Sequence, residues 1–241
     1  MRSTAEEAIR LDPLLPEAHY ALAMSYSRDA QWPSAERSFR RAIELNPADS
    51  VLHYHFAFHF LFPLGRKDEA LRELRIAENL DPLNGEIHYE TAFVLMAIGR
   101  YAEAEAHCNR LPPEYSLKNE CLSWARLGQG KVNEVIDAAE RALDRRRMRG
   151  APLRAALGCA YARAGRRQDA EELAKDSTFN ALNEAHILVC LGDTGHAFEA
   201  LDRATAAGPI RIGRKVETPE FAILRRDPRL GAIRKKVGLP E

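Results

Sequence analysis

The sequence has no excess of charge of either sign and no long hydrophobic run. Among its 241 residues, Lys and Arg together number 35, as do Asp and Glu, so we expect no general attraction to nucleic acid or to an anionic membrane. No apolar stretch approaches the length of a membrane span. Residues 1–7 carry no apolar signal-peptide core. These absences predict a cytoplasmic protein without a membrane partner.

Cysteine is scarce as well. The chain has four cysteines, and no two of them stand as a CxxC pair; they are Cys108, Cys121, Cys159 and Cys190. Scattered cysteines of this kind are typical of reduced, mostly buried thiols in a cytosolic protein. The cysteines therefore predict neither a disulfide framework nor a thiolate metal site.

The motifs of common catalytic sites are also missing. The sequence has no glycine-rich phosphate loop, no nucleophile elbow and no HExxH motif. The triplet Asp193-Thr194-Gly195 imitates that of aspartic proteases, but it occurs once and falls in a turn between two predicted helices, where Asp and Gly are ordinary residues. We therefore expect that the protein is not an enzyme and that it binds no cofactor.

Three histidines crowd one short segment. His55 and His59 are four residues apart, which is the spacing of a two-histidine metal site on a helix. The neighbouring His53, however, occupies the same place in a repeat as His19 and His88, and the segment offers no carboxylate or cysteine to complete a coordination shell. We therefore predict no metal site here.

The most informative feature present is an internal repeat. Its copies begin at residues 17, 51 and 86, so they are separated by 34 and 35 residues. Each copy follows a similar phrase that ends in proline, at Pro13, Pro47 and Pro82. A period in this range predicts a solenoid of stacked helical units.

Each unit divides into two amphipathic helices. In the first unit we predict helix A over Pro16–Arg28 and helix B over Pro33–Leu45, each with a proline in its first turn, where proline is tolerated. Pro47 ends helix B because proline disfavours helix in the residue before it. The apolar residues with helical spacing are Leu22, Ala23, Tyr26, Ala35, Phe39 and Ala42.

This pattern resembles the tetratricopeptide repeat. From Pro16 as the first position, the family's characteristic small, apolar and proline positions match in register, although His19 replaces the tryptophan often found at position 4. The second unit carries one extra residue, which we expect in the turn at residues 63–65. In the degenerate fourth unit, either Gly128 or Gly130 is the turn glycine. The resemblance covers about residues 3–206 and implies an all-α, right-handed helical solenoid.

We expect three parts in the chain. Residues 1–14 form a partial repeat of helix B alone, residues 15–206 form about six helix pairs, and residues 207–241 form a capping tail with short helices. In this tail Asp227 is predicted to cap a final helix. The tail also resembles the carboxyl-terminal repeat regions of bacterial multidomain signalling and transcription-regulator proteins, which implies that the chain is the end of a larger protein.

The tetratricopeptide resemblance also implies a binding surface, because the family exposes the inner faces of its A helices as a concave groove. The residues that fall at groove positions and that we expect to contact a partner are Tyr20, Met24, Arg28, Tyr54, Phe58, Phe62, Tyr89, Phe93 and Met96. Aromatic and methionine side chains are enriched at protein-recognition surfaces. The implied function is a non-catalytic scaffold that binds a protein or peptide. Because Arg28 is the only basic residue in this set, we do not expect the clamp by which some family members bind a peptide's terminal carboxylate.

Several alternatives remain open for this groove. It can be filled by the chain's own tail, by an upstream domain or by a second copy of the chain. The alternative function is a regulatory or sensor domain at the end of a larger signalling enzyme or transcription regulator. Two basic runs, residues 145–149 and 225–236, are interpreted as solvated helix ends, and a nucleic-acid partner is not expected.

Overall fold

The computed structural model describes residues 2–146, 151–175 and 180–240, and within these ranges every regular element is helical. The α-helices are α1 (Arg2–Leu11), α2 (Pro16–Arg28), α3 (Trp32–Leu45), α4 (Ser50–Phe56), α5 (Lys67–Leu80), α6 (Gly85–Ala97), α7 (Tyr101–Arg110), α8 (Lys118–Gly128), α9 (Val132–Arg146), α10 (Ala151–Arg163), α11 (Arg167–Ala174), α12 (Ala181–Cys190), α13 (Thr194–Arg203), α14 (Pro209–Val216) and α15 (Pro228–Lys236). A π-helical turn (Ala57–Leu61) follows α4, and 3-10 segments span Phe62–Leu64, Ala204–Ala207 and Pro219–Leu224.

Small side chains let the paired helices approach closely. Ala23 of α2 and Ala35 and Ala42 of α3 are fully buried, and Phe39 fills the space between the two helices. The equivalent alanine of the next unit, Ala70, is fully buried as well. Packing at this density makes the repeated alanines the positions where the helices of each unit meet.

Tight turns separate the helices of each pair. Gly99, Gly130 and Gly165 lie in the left-handed region of backbone space, which glycine enters without steric cost. Gly130 is therefore the turn glycine of the fourth unit. Gly128 instead ends α8, where a Cβ atom would overlap the ring of Tyr101.

The extra residue of the second unit does not lie in the turn at residues 63–65, as the sequence suggested. It is absorbed earlier, in the π-helical turn Ala57–Leu61 between α4 and the 3-10 segment Phe62–Leu64. Gly65 then takes the left-handed conformation that closes the turn. A π turn accommodates one inserted residue without breaking the helix, and such turns are frequent at functional sites.

The prediction of reduced cysteines is wrong. The four cysteines form two disulfides, Cys108–Cys121 and Cys159–Cys190, with Cα atoms 5.6 Å and 5.2 Å apart. The helices α7 and α8 pack together, as do α10 and α12, so residues distant in sequence face each other between neighbouring units. Spacing along the chain does not reveal this pairing, because stacking of the repeats creates it.

The last helix of the tail packs against the last repeat, and its predicted cap is present. Asp227 accepts a hydrogen bond from the backbone N–H of Arg229 and so caps α15. Leu230 and Ile233 are buried in a cluster with Phe198 of α13. This arrangement supplies the cap that a terminal repeat needs to cover its apolar end.

The tail also reaches the opposite end of the solenoid, which its sequence did not indicate. The indole N–H of Trp32 donates to the carbonyl oxygen of Gly238 over 2.5 Å. The ammonium of Lys67 lies 2.9 Å from the carboxylate of Glu217. Gly213 of α14 lies so close to Pro63 that a Cβ atom would overlap it. The tail therefore bridges the first, second and last units.

Within the described residues, no helix combines the length and the apolar character needed to cross a membrane.

Candidate functional site

The predicted groove residues lie along three successive A helices. Tyr20, Met24 and Arg28 lie on α2, whereas Tyr54, Phe58 and Phe62 follow one another through α4, the π turn and the 3-10 segment. Tyr89, Phe93 and Met96 lie on α6. The π turn thus carries Phe58, at the centre of this set.

Burial divides the set into two groups. Phe58, Phe62 and Met96 are buried, and Phe62 has no exposed surface at all. Phe62 and Met96 therefore offer a partner little surface in this structure, contrary to the expectation from sequence, whereas Phe58 still lines the cavity described below. The half-buried members are Tyr20, Met24, Tyr54, Tyr89 and Phe93, and Arg28 is exposed beside Asp29.

The buried aromatics form one cluster. The rings of Phe58 and Phe62 stack with centroids 6.0 Å apart, and the ring of Phe93 meets both edge-on at 5.6 Å and 5.7 Å. Tyr20 stacks on His55 with centroids 5.3 Å apart and forms a hydrogen bond with its Nδ1 atom. These contacts link neighbouring units, so the aromatics contribute to the core as well as to the concave surface.

The tail helix α14 lies over this aromatic cluster. The guanidinium of Arg214 is 4.5 Å from the centre of the Phe58 ring, a cation–π contact. Ile212 and Val216 of the same helix are buried. Of the alternatives that the sequence left open, the structure therefore contains a groove partly filled by the chain's own tail.

A cavity of about 540 Å³ remains between α14 and the A helices. It is lined by Tyr54, His55, Phe58, His59, Glu86, Tyr89, Glu90, Phe93, Leu117, Glu120, Asn180, Leu182, Asn183, Arg211, Arg214 and Lys215. The aromatic side chains share this space with acids, bases and amides. The cavity therefore combines an aromatic wall with charged and amide groups.

Two carboxyl groups of the cavity are buried without full hydrogen bonding. Glu90 and Glu120 are 4% and 9% exposed, and the Oε2 atom of each has no hydrogen-bond partner. Burial raises the pKa of Glu90 well above its usual value and raises that of Glu120 to about 7. Both groups are therefore held in surroundings that disfavour the bare carboxylate.

The basic groups of the cavity come from α14. Burial lowers the pKa of Lys215 to about 8, and burial likewise lowers the pKa of Arg214. The Lys215 ammonium donates to Nδ1 of His186 over 2.9 Å. Lys215 therefore donates a hydrogen bond to His186 and also acts through its charge on Glu120, whereas Arg214 contacts the Phe58 ring.

A polar network next to the cavity fastens the tail. His186 of α12 receives the Lys215 ammonium on one side and lies 3.4 Å from the Glu220 carboxylate on the other. Trp124 stacks on the His186 ring with centroids 4.2 Å apart. Burial opposes the ionisation of Glu220, yet the hydrogen bond from His186 and the charge of Arg163 lower its pKa to about 2.

The repeated histidines have a structural role. The Nε2 atoms of His19, His53 and His88 lie 3.0, 3.0 and 2.9 Å from the carbonyl oxygens of the prolines that end the preceding B helices, namely Pro13, Pro47 and Pro82. A ring N–H donated to each carbonyl joins consecutive units. Histidine at this position therefore replaces a packing contact with a hydrogen bond.

Two groups of side chains in the described residues have potential metal-ligand atoms close together. One consists of Cys159, His186 and Cys190, whose two sulfurs form a disulfide. The other consists of Glu78, His88 and His107, and there the Arg110 guanidinium lies 2.5 Å from Glu78. A covalent bond and a nearby cation respectively oppose metal binding at these two positions.

Ion pairs occupy three of the six cations in the basic run 225–236 of the tail. The guanidinium of Arg229 pairs with Asp227 and that of Arg234 with Glu217, while the ammonium of Lys236 pairs with Asp202. Arg225, Arg226 and Lys235 of the same run are exposed, and none of them forms an ion pair within the described residues. The other basic run, at residues 145–149, extends outside the described residues from position 147 onward.

The sequence did not identify Glu90, Glu120, Lys215 or His186 as site residues. One signal was available, since Glu90 is the only ionisable acid between Ile87 and Ala97 of an otherwise apolar helix. An acid in such a place is seldom buried without a role. The contributions of α8, α12 and α14 depend on how the tail folds back, and the repeat period carries no information on this.

Comparison with known proteins supports the tetratricopeptide interpretation. Family models of the tetratricopeptide repeat match residues 16–49 and 61–117. No curated protein matches the sequence.

Solved structures resemble this one over most of its length. The type IV pilus biogenesis factor PilW is 19% identical, with a TM-score of 0.60 over 90% of this chain and 97% of PilW. PilF of Pseudomonas aeruginosa is 19% identical, with a TM-score of 0.56 over 81% of this chain and 92% of PilF. At this identity the likeness shows the fold alone, a right-handed all-α solenoid of the tetratricopeptide type. With the repeat matches, it shows a chain that carries tetratricopeptide repeats at residues 16–49 and 61–117 and has the tetratricopeptide-type fold over most of its length.

Proposed function

We propose that this protein is a non-catalytic scaffold that binds a segment of a protein or peptide in the cavity between α14 and the A helices. The tetratricopeptide fold supports a role in protein–protein interaction. The observation that carries the proposal is the cavity of about 540 Å³ that the docked tail leaves open. Tyr54, Tyr89 and Phe93 remain half-buried in its wall, where a partner side chain has access to them.

The proposal narrows the binding surface that the sequence predicted. Tyr54, Tyr89 and Phe93 keep their role, whereas Phe58 supports Arg214 of the tail. Large aromatic side chains in a partly enclosed site are the usual centres of binding energy, because a partner removes much apolar surface from water there.

A substitution tests this site. Replacing Tyr89 by Ala should weaken binding of a protein partner by about 2 kcal/mol or more, since a half-buried aromatic anchor is lost. The partner is first captured from the source cell and then purified, and its affinity is measured by calorimetry. The control is Tyr26→Ala, which removes a half-buried tyrosine outside the cavity. Equal affinities for both variants and the unmodified chain would place the partner elsewhere.

The cellular location expected from the sequence needs its own test. Structural disulfides are typical of oxidising compartments, so the cysteines no longer argue for the cytoplasm. The cytoplasmic location and the bacterial source stay predictions, as does the alternative role as a regulatory domain of a signalling protein. Fractionation of source cells decides the location, and the reading frame upstream of Met1 tests the alternative.

A further inference from the structure

The cavity has walls of opposite charge. Glu90 of α6 and Glu120 of α8 face it from the A helices, whereas Arg211 and Arg214 face it from α14. Within the described ranges no ion pair joins the two walls. The two walls nevertheless act on each other through their charges. The charge of Arg214 opposes the rise in the pKa of Glu90, and that of Lys215 opposes the rise in the pKa of Glu120.

The acidic wall has unused hydrogen-bond acceptors. The Oε2 atoms of Glu90 and Glu120 are both buried and both lack a partner. Buried carboxyl groups are normally paired or hydrogen-bonded, and an exception calls for an explanation. A cationic nitrogen in the cavity beside these carboxyl groups would offset the burial that disfavours their ionised forms.

The basic wall is prepared for an anion. The central carbon of the Arg214 guanidinium lies 4.5 Å from the centre of the Phe58 ring, and no hydrogen bond of this side chain is found among the described residues. The donors of a guanidinium match a planar carboxylate. Arg211, one turn earlier on α14, is exposed at the cavity.

The size and the charges of the cavity argue against a metal ion or an inorganic anion as its ligand. Its volume of about 540 Å³ lies within the range of organic ligand sites, roughly 300–1,000 Å³. A metal ion would leave Arg214 without a counter-charge, and an inorganic anion would leave Glu90 and Glu120 unsatisfied. The aromatic rings of Tyr54, Tyr89 and Phe93 provide a surface for an apolar side chain between the two charged walls.

We propose that this cavity binds a zwitterionic ligand of the amino-acid or short-peptide class. Its cationic nitrogen lies against Glu90 and Glu120, and its carboxylate lies on the edge of the Arg214 guanidinium. This inference rests on the proposed function for the choice of site and adds the chemistry of the bound segment. The same chemistry is available from a free amino acid and from a peptide with free ends.

Four probes and calorimetry on the full chain test the ligand class. The probes are free phenylalanine, the tripeptide Ala-Phe-Ala, its N-acetyl form, which lacks the cation, and its C-terminal amide, which lacks the anion. We expect the free tripeptide to bind and each blocked form to bind about tenfold more weakly or worse, as loss of a charged hydrogen bond implies. Phenylalanine identifies the source: binding as tight as the tripeptide indicates an amino-acid site, and weaker binding indicates a peptide site.

Two substitutions test which wall of the cavity binds which end of the ligand. Glu90→Gln should abolish the discrimination against the N-acetyl peptide, and Arg214→Gln should abolish the discrimination against the amide. Each variant tests one wall, so either result is sufficient if the other variant does not fold. The control is Glu17→Gln, which removes an exposed acid on α2 outside the cavity and should leave all affinities unchanged.

Three results would overturn the proposal: no binding of the free tripeptide or of phenylalanine at about 1 mM, equal binding of the free and blocked peptides, or discrimination that survives both substitutions. The scaffold proposal fails separately. A protein partner whose binding is insensitive to Tyr89→Ala contradicts that proposal and leaves the tripeptide result in place.

Discussion

At the scale of single residues, the repeated alanines determine how closely the helices of each unit approach. Ala70 of α5 has no exposed surface and packs within the core cluster of the first three units. Replacing Ala70 by Leu should overpack this contact and lower the free energy of unfolding by about 1–3 kcal/mol. Denaturant unfolding measures the change. The control is Ala102→Leu on the exposed side of α7, and an equal effect of both substitutions would show that the position carries no packing constraint.

The residue scale also shows what the repeat pattern can predict. The pattern identified Ala35, Ala70 and Phe39 as core residues because each recurs at a fixed helical position, and all three are fully buried. It did not distinguish Phe62, which has no exposed surface, from Tyr54, which is half-buried and lines the cavity. The reason is physical: a repeat position fixes the face of a helix, whereas burial on that face depends on what covers it.

At the scale of elements, the disulfides fasten neighbouring units to one another. Cys108–Cys121 joins α7 to α8, and Cys159–Cys190 joins α10 to α12. Opening these bonds frees loops of 13 and 31 residues, so each disulfide should contribute about 2–4 kcal/mol to stability. Thiol titration of the unfolded, unreduced protein should find no free thiol, and reduction should lower the melting temperature. Four free thiols before reduction would contradict the pairing.

The tail acts at the same scale, as an element that closes the solenoid. Deleting residues from Arg225 onward removes Leu230 and Ile233 from the last unit and the Gly238 carbonyl from Trp32. We expect a lower melting temperature together with aggregation or dimerisation, because apolar surface is uncovered at the end of the array. Light scattering after gel filtration measures the mass. The control is Arg226→Ala in the exposed part of this segment, and a truncated chain that stays an equally stable monomer would refute the role of the tail as a cap.

At the scale of the whole molecule, the return of the tail connects the two ends of the array and leaves an open cavity between the tail and the A helices. The bond between Trp32 and Gly238 joins positions 206 residues apart, and the pair Lys67–Glu217 joins others 150 residues apart. The sequence predicted the solenoid because its determinants recur locally in every unit. Each of these long-range contacts occurs only once, so the repeat period does not reveal it. The cavity and its charged walls depend on these contacts and could therefore not be predicted from the sequence.

The stability of the fold with the tail docked should depend on pH through His186. Its ring receives a hydrogen bond from Lys215, which only the neutral imidazole can accept, and burial lowers the pKa of His186 to about 4. The unfolded chain takes up a proton near pH 6.5, whereas the folded chain does so only near pH 4. Below about pH 6.5 the unfolded state therefore binds more protons, and the stability supplied by neutral His186 declines as the pH falls.

A non-titrating variant isolates this effect. In His186→Gln the side-chain carbonyl can accept from Lys215 and the amide can donate to Glu220, but the group binds no proton. Between pH 6.5 and pH 5 the unmodified protein should lose about 2 kcal/mol more stability than the variant, at about 1.4 kcal/mol per pH unit. His55 and His59, whose pKa values burial also lowers, are present in both proteins and cancel in the comparison.

The control for this measurement is His196→Gln. The hydrogen bond and charge of Asp193 raise the pKa of the exposed His196, so its contribution is present at low pH and is lost as the pH rises. Removing His196 should therefore leave the acid-side loss of stability in place, whereas removing His186 should reduce it. If chemical denaturation at pH 7 and pH 5 gave the His186→Gln variant the same loss as the unmodified chain, a neutral His186 would not be what fastens the tail across the cavity.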